Sequence, residues 1–117
     1  MSPSPLEYLK HIHDEMSYLM EASARLSEDA FAESATYQRA FARSFEIIGE
    51  ATKHLGEDFR AKYPAVPWSY MAKMRDKLIH HYFGVDYEMV WRTAQEDVPA
   101  IKELLHVIIQ GETRSSS

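Results

Sequence analysis

The chain has 117 residues, 45% of them hydrophobic and 26% charged, with a formal net charge of −5. That suits one ordered globular domain and argues against a disordered chain or a non-specific nucleic-acid coat. There is no cysteine, which excludes disulfides and thiolate metal sites.

No apolar run approaches the roughly 20 residues that span a bilayer. Met1-Ser2-Pro3-Ser4-Pro5 lacks the basic stretch and apolar run of a signal peptide, so a cytoplasmic protein without membrane contact is expected.

The first predicted helix runs from about Pro5 to Leu26, where Leu6, Leu9, Ile12, Met16, Leu19 and Leu26 recur at helical spacing. Ser4 is placed to cap it and Pro5 suits its first turn. Ser27-Glu28-Asp29 reads as a connection or a short extra turn. A longer second helix spans about Ser34 to Leu55, with Tyr37, Phe41, Phe45, Ile48 and Leu55 on one side. Gly56 stops it. Glu57 to Tyr63 makes one short turn before Pro64 and Pro67.

A third helix is expected from about Pro67 to Tyr82, ended by Gly84. The fourth starts near Asp86 or Tyr87, and Pro99 kinks or restarts it. No strand pattern, repeat or long linker appears. The expectation is all-α: a single four- to five-helix up-and-down bundle over residues 1–112, with a disordered polar tail over 113–117. A domain this small buries a limited share of its surface, so pairing with another chain would help it.

Arg75-Asp76-Lys77-Leu78-Ile79-His80-His81-Tyr82 is the informative stretch. On a helical wheel with Met71 at zero, Arg75 lies at about 40° and Tyr82 at about 20°, on the side of Trp68, Met74 and Leu78. Asp76 and His80 lie at roughly 140° and 180°. An arginine on an apolar side either snorkels to solvent, pairs with an acid, or waits for an anion such as phosphate. Asp76 and His80, four apart, are either a solvated surface pair or a carboxylate holding an imidazole. Arg75 and His80 are separated by about 140° on one helix and do not converge. A two-fold axis beside this segment would bring the groups of two chains into one cleft, so a dimer is expected.

The spacing of Arg75, His80 and Tyr82 resembles the signature of the HepT-like toxins of the HEPN superfamily, with Asp76 matching the polar residue often found after the arginine. The flanks agree: Phe45-Glu46-Ile47-Ile48-Gly49-Glu50-Ala51, then Tyr63-Pro64 to Pro67-Trp68, Tyr82-Phe83-Gly84-Val85-Asp86, Val90-Trp91 and Glu96-Asp97-Val98-Pro99. The resemblance covers about Leu6 to Ile109.

It implies a metal-independent endoribonuclease without a cofactor, acting as a homodimer or higher oligomer, in which a 2′-hydroxyl attacks the adjacent phosphate of RNA. Arg75 would bind the phosphate, His80 would serve as general base or acid, and Asp76 would orient it. It also implies a toxin–antitoxin pair, in which an MntA-like nucleotidyltransferase antitoxin transfers AMP to Tyr82. Two other readings stand beside it: a non-catalytic helical partner or regulatory subunit of a nucleotidyltransferase, and a helical nucleotide-binding domain without cleavage.

Other signals are weaker. Glu103 and His106 have the Glu-x-x-His spacing of di-iron bundles, but one copy does not make such a site, and no metal is expected. His11 and His13 point in different directions on a helix. His54 suits the dipole at a helix C-terminus. Glu46 and Glu50, in a stripe with Arg39, Arg43 and Lys53, form either a solvated charge ladder or partners for an arginine of the active cleft.

Overall fold

The computed structural model describes residues 3–80 and 84–116; the side chains of residues 79, 80 and 116 also lie outside that description. Four helices carry the bundle: α1 (Pro5–Arg25), α3 (Ala35–Lys53), α7 (Tyr87–Glu96) and α8 (Val98–Ser116). Short helices α2 (Glu28–Ala32), α4 (Glu57–Ala61), α5 (Trp68–Ala72) and α6 (Met74–Leu78) connect and close it. Ser4, Ser27 and Ser34 cap α1, α2 and α3, each accepting from a backbone N–H three residues on, which satisfies donors the helix itself cannot.

α1 and α3 run antiparallel. Tyr8 meets His54 at one end, the Ser44 hydroxyl donates to Glu15 midway, and Tyr18 meets Phe41 at the other. α8 returns along α1, placing His106 beside His13 and Gln95 of α7 against the Ser23 carbonyl. Leu9, Ile12, Met16 and Leu19 of α1 face Phe41, Phe45 and Ile48 of α3 in one buried core with Met71, Met74, Leu78, Val90 and Leu105. Each such side chain contributes about 1.5–3 kcal/mol of burial. Phe31 of α2 plugs one end, its ring 4.8 Å from Phe41 and 5.2 Å from Trp91.

Two expectations change, and the alternative left open at Pro99 is resolved. The third predicted helix does not reach Tyr82. It is divided between α5 and α6, ends at Leu78, and passes into a two-stranded antiparallel hairpin, β1 (Ile79–His80) and β2 (Gly84–Val85). His80 pairs with Gly84, whose φ of +81° is a left-handed value that glycine adopts without a Cβ clash. The Asp86 N–H closes the stem on the Leu78 carbonyl at 2.9 Å. β-prone Ile79 and Val85 suit this better than another helical turn. The wheel position of His80, and the 140° separation of Arg75 from His80, therefore do not apply; Tyr82 lies outside the described residues.

Pro99 restarts rather than kinks: α7 ends at Glu96, and Pro99 occupies the first turn of α8, where its missing N–H has no helical partner to lose. α8 continues through residues 113–116, the segment expected as a tail, and the Thr113 hydroxyl donates to the Ile109 carbonyl at 2.6 Å.

Candidate active site

α3 turns a stripe of polar side chains away from its core face. Arg43, Glu46, Glu50 and His54 follow one another at intervals of three or four residues, so they lie along one side over about 16 Å. Tyr8 and His11 of α1 are three apart and line the same groove, opposite the C-terminal half of that stripe. Arg75 of α6 closes it from the third side, leaving a depression of about 340 Å³.

α6 reaches this position because α3 and α5 approach closely at Gly49. A Cβ built there would lie 3.4 Å from the Ala72 carbonyl oxygen and 3.5 Å from that of Met71. Buried Met71, Met74 and Leu78 then pin the segment from below. The Trp68 indole N–H donates to the Tyr63 carbonyl at 2.9 Å, and the Tyr63 hydroxyl bonds Glu112 of α8. Tyr70 bonds Asp97 at the end of α7; burial first, then that hydrogen bond, pushes its hydroxyl pKa up to about 12. The Tyr63-to-Trp68 flank and α5 are thus tied to the bundle at several points.

Arg75 is half-buried. Its Nε lies 3.8 Å from Glu46 and its Nη1 lies 3.6 Å from Asp76. The Glu46 pair is more than one-third exposed on both sides, so it is worth about 0–1 kcal/mol and a better anion can displace it. Of the two sequence readings of Glu46, pairing with the arginine is the one realised. Glu50 lines the same groove.

Asp76 is exposed and turns to another surface, a shallow depression of about 600 Å³ that it shares with Ser69, Tyr70, Lys73 and Lys77. The Lys77 ammonium sits 4.9 Å over the Tyr70 ring there. Arg75 and Asp76 thus touch but face different ways. The backbone of His80 lies in β1, two residues beyond α6, its side chain lies outside the description, and Tyr82 lies outside the described residues altogether.

Residues 9–108 match the family described as ribonuclease HepT-like. The chain belongs to that family. It is 44% identical over 109 residues to a candidate RNase of Caldanaerobacter subterraneus subsp. tengcongensis, covering 93% of this chain and 97% of the relative. A candidate RNase of Methanocaldococcus jannaschii is 45% identical over 112 residues, covering 93% of each chain. A candidate ribonuclease HepT of Thermococcus cleftensis is 41% identical over 102 residues, covering 87% of this chain and 93% of the relative. No solved structure gave a significant match.

Membership of the HepT-like family, in the HEPN superfamily, makes the chain an endoribonuclease. In this HepT-like chain the sequence singles out Arg75 but does not mark Tyr8, His11 or His54 as its neighbours. The stripe on α3 was legible. Which stripe of α1 it faces depends on how the two helices are aligned, and periodicity carries no such register.

Proposed function

We propose that this ribonuclease cuts RNA by transesterification. The 2′-oxygen attacks the adjacent phosphorus, the bond from phosphorus to the 5′-oxygen breaks, and the products are a 2′,3′-cyclic phosphate and a 5′-hydroxyl. His80 takes the proton of the 2′-hydroxyl or returns one to the 5′-oxygen, Arg75 holds the phosphate oxygens as charge gathers on them, and Asp76 orients His80. The chemistry needs no divalent metal. The observation that carries this reading is the weakly paired, half-buried Arg75 on the rim of a groove, five residues before His80. The Glu46 contact is long at 3.8 Å and solvent-exposed, whereas a phosphate can take two N–H bonds from the planar guanidinium, so RNA competes well for Arg75.

The same reading makes the enzyme a homodimer, its two hairpin segments beside one two-fold axis, so that each cleft draws on both chains. It also makes the protein the toxin of a toxin–antitoxin pair, silenced when a nucleotidyltransferase transfers AMP from ATP to the Tyr82 oxygen and releases pyrophosphate. Incubating the purified chain with total RNA in EDTA and mapping the new ends tests the chemistry. New ends bearing 2′,3′-cyclic phosphate are expected. Intact RNA together with tight binding to a nucleotidyltransferase would instead make the chain a non-catalytic partner.

A further inference from the structure

Tyr8 and His54 form a ring pair at the end of the groove away from Arg43, with centroids 5.2 Å apart and planes within 10° of parallel. Tyr8 is half-buried and His54 exposed, and both line the depression that Arg75 closes. A stacked pair of planar rings beside an arginine is what an unpaired nucleotide needs: a π-surface for the base and a cation for its phosphate.

The charges divide the groove in the same sense. Arg43 stands at the opposite end of the α3 stripe, and Arg75 sits at its middle, against Glu46. Glu50, one turn before His54, lies next to the rings. A phosphate at that end would be repelled by this carboxylate, whereas a neutral base would not. The volume of about 340 Å³ falls at the small end of ligand clefts, roughly 300–1,000 Å³, which suits a single nucleotide.

We propose that the Tyr8–His54 ring pair is a base-stacking platform, seating the nucleotide next to the phosphate held by Arg75, with Arg43 holding a neighbouring phosphate on the other side. The proposal rests on the ribonuclease reading of this groove and adds its substrate subsite. Stacking accepts any base, so the platform selects for unpaired strands rather than for a sequence.

A short 2′-deoxy oligonucleotide lacks the attacking hydroxyl, so its binding reports the platform independently of cleavage. Fluorescence anisotropy with a labelled single-stranded hexamer should show Tyr8→Ala weakening binding by roughly tenfold, while Tyr8→Phe, which keeps the ring, binds like the parent. On an oligonucleotide of the same length made entirely of abasic residues, the Tyr8→Ala loss should vanish, because no base remains to stack. Arg43→Ala should lower the salt dependence of binding by about 0.7 in slope, one phosphate contact fewer. Equal losses on the normal and abasic strands would make Tyr8 a structural clamp between α1 and α3 and overturn the proposal. An unaffected Tyr8→Ala variant, or a parent that does not bind the hexamer, would overturn it as well. If the hexamer binds with this Tyr8 dependence and RNA is never cut, the platform stands and the cleavage chemistry falls.

Discussion

Gly49 of α3 faces the backbone of α5 so closely that a methyl group in place of its hydrogen would touch the Ala72 carbonyl oxygen at 3.4 Å. This contact sets how near α6, and with it Arg75, comes to Glu46. Gly49→Ala should fold normally, its new contact offset by about 1 kcal/mol of helix propensity. Gly49→Leu should destabilise by about 1–3 kcal/mol, because the helices must part to admit the side chain. It should also lose cleavage beyond what its melting temperature explains. Thermal unfolding beside an RNA cleavage assay at a temperature where both variants are folded checks this.

Arg75 shares its charge with Glu46 before any RNA arrives. Glu46→Gln removes the competitor and keeps the shape, so KM for RNA should fall roughly two- to fivefold with kcat little changed, in line with a pair worth up to about 1 kcal/mol. A rise in KM would show instead that Glu46 aims the guanidinium.

His80→Ala should cut the cleavage rate by roughly 10²–10⁴-fold with helical content intact, the usual loss for one general acid–base group. Arg75→Ala should do the same, and Arg75→Lys should recover only part, since a point charge replaces a planar fork. Single-turnover cleavage with circular dichroism on each variant is the measurement. An unchanged rate in His80→Ala would remove that residue from the mechanism.

His13 sits between α1 and α8, facing Lys102 and His106 of α8, with Asp14 beside it on α1. Burial, then the charges of Lys102 and His106, lower its pKa from 6.5, and Asp14 only partly opposes them. The folded state therefore prefers the neutral imidazole. Below pH 6.5 the unfolded chain takes up the proton first, so stability falls as pH drops through that window and is regained above it. His13→Gln should flatten the dependence of denaturation midpoint on pH between 7 and 5. An unaltered slope would place the proton uptake elsewhere.

With ATP and the cognate nucleotidyltransferase, intact-mass spectrometry should show AMP added to the chain and lost in Tyr82→Phe. The variant should keep its cleavage activity and escape inactivation. An adduct that persists in the variant, or one on Tyr82 that leaves activity whole, would sink the assignment.

Periodicity located the long helices and most of their buried faces, because Leu9, Ile12, Met16, Phe41, Phe45 and Ile48 repeat at the spacing of a buried helical face, and residue type marked Ser4 as the cap of the first. It also put Arg75 on the inward side and Asp76 on the outward side of their helix, as found. The end of that helix was not legible. Helical spacing continues through Ile79 and Tyr82, and only the pairing of His80 with Gly84 and of Ile79 with Val85 turns the chain into a hairpin. Nor was the groove. Tyr8 and His54 lie 46 positions apart, and nothing local to either announces the other. The antiparallel register of α1 on α3 brings them together, and the close approach at Gly49 sets Arg75 above Glu46. Local pattern decides which face of a helix is buried, while the packing of one helix on another decides which exposed residues share a site.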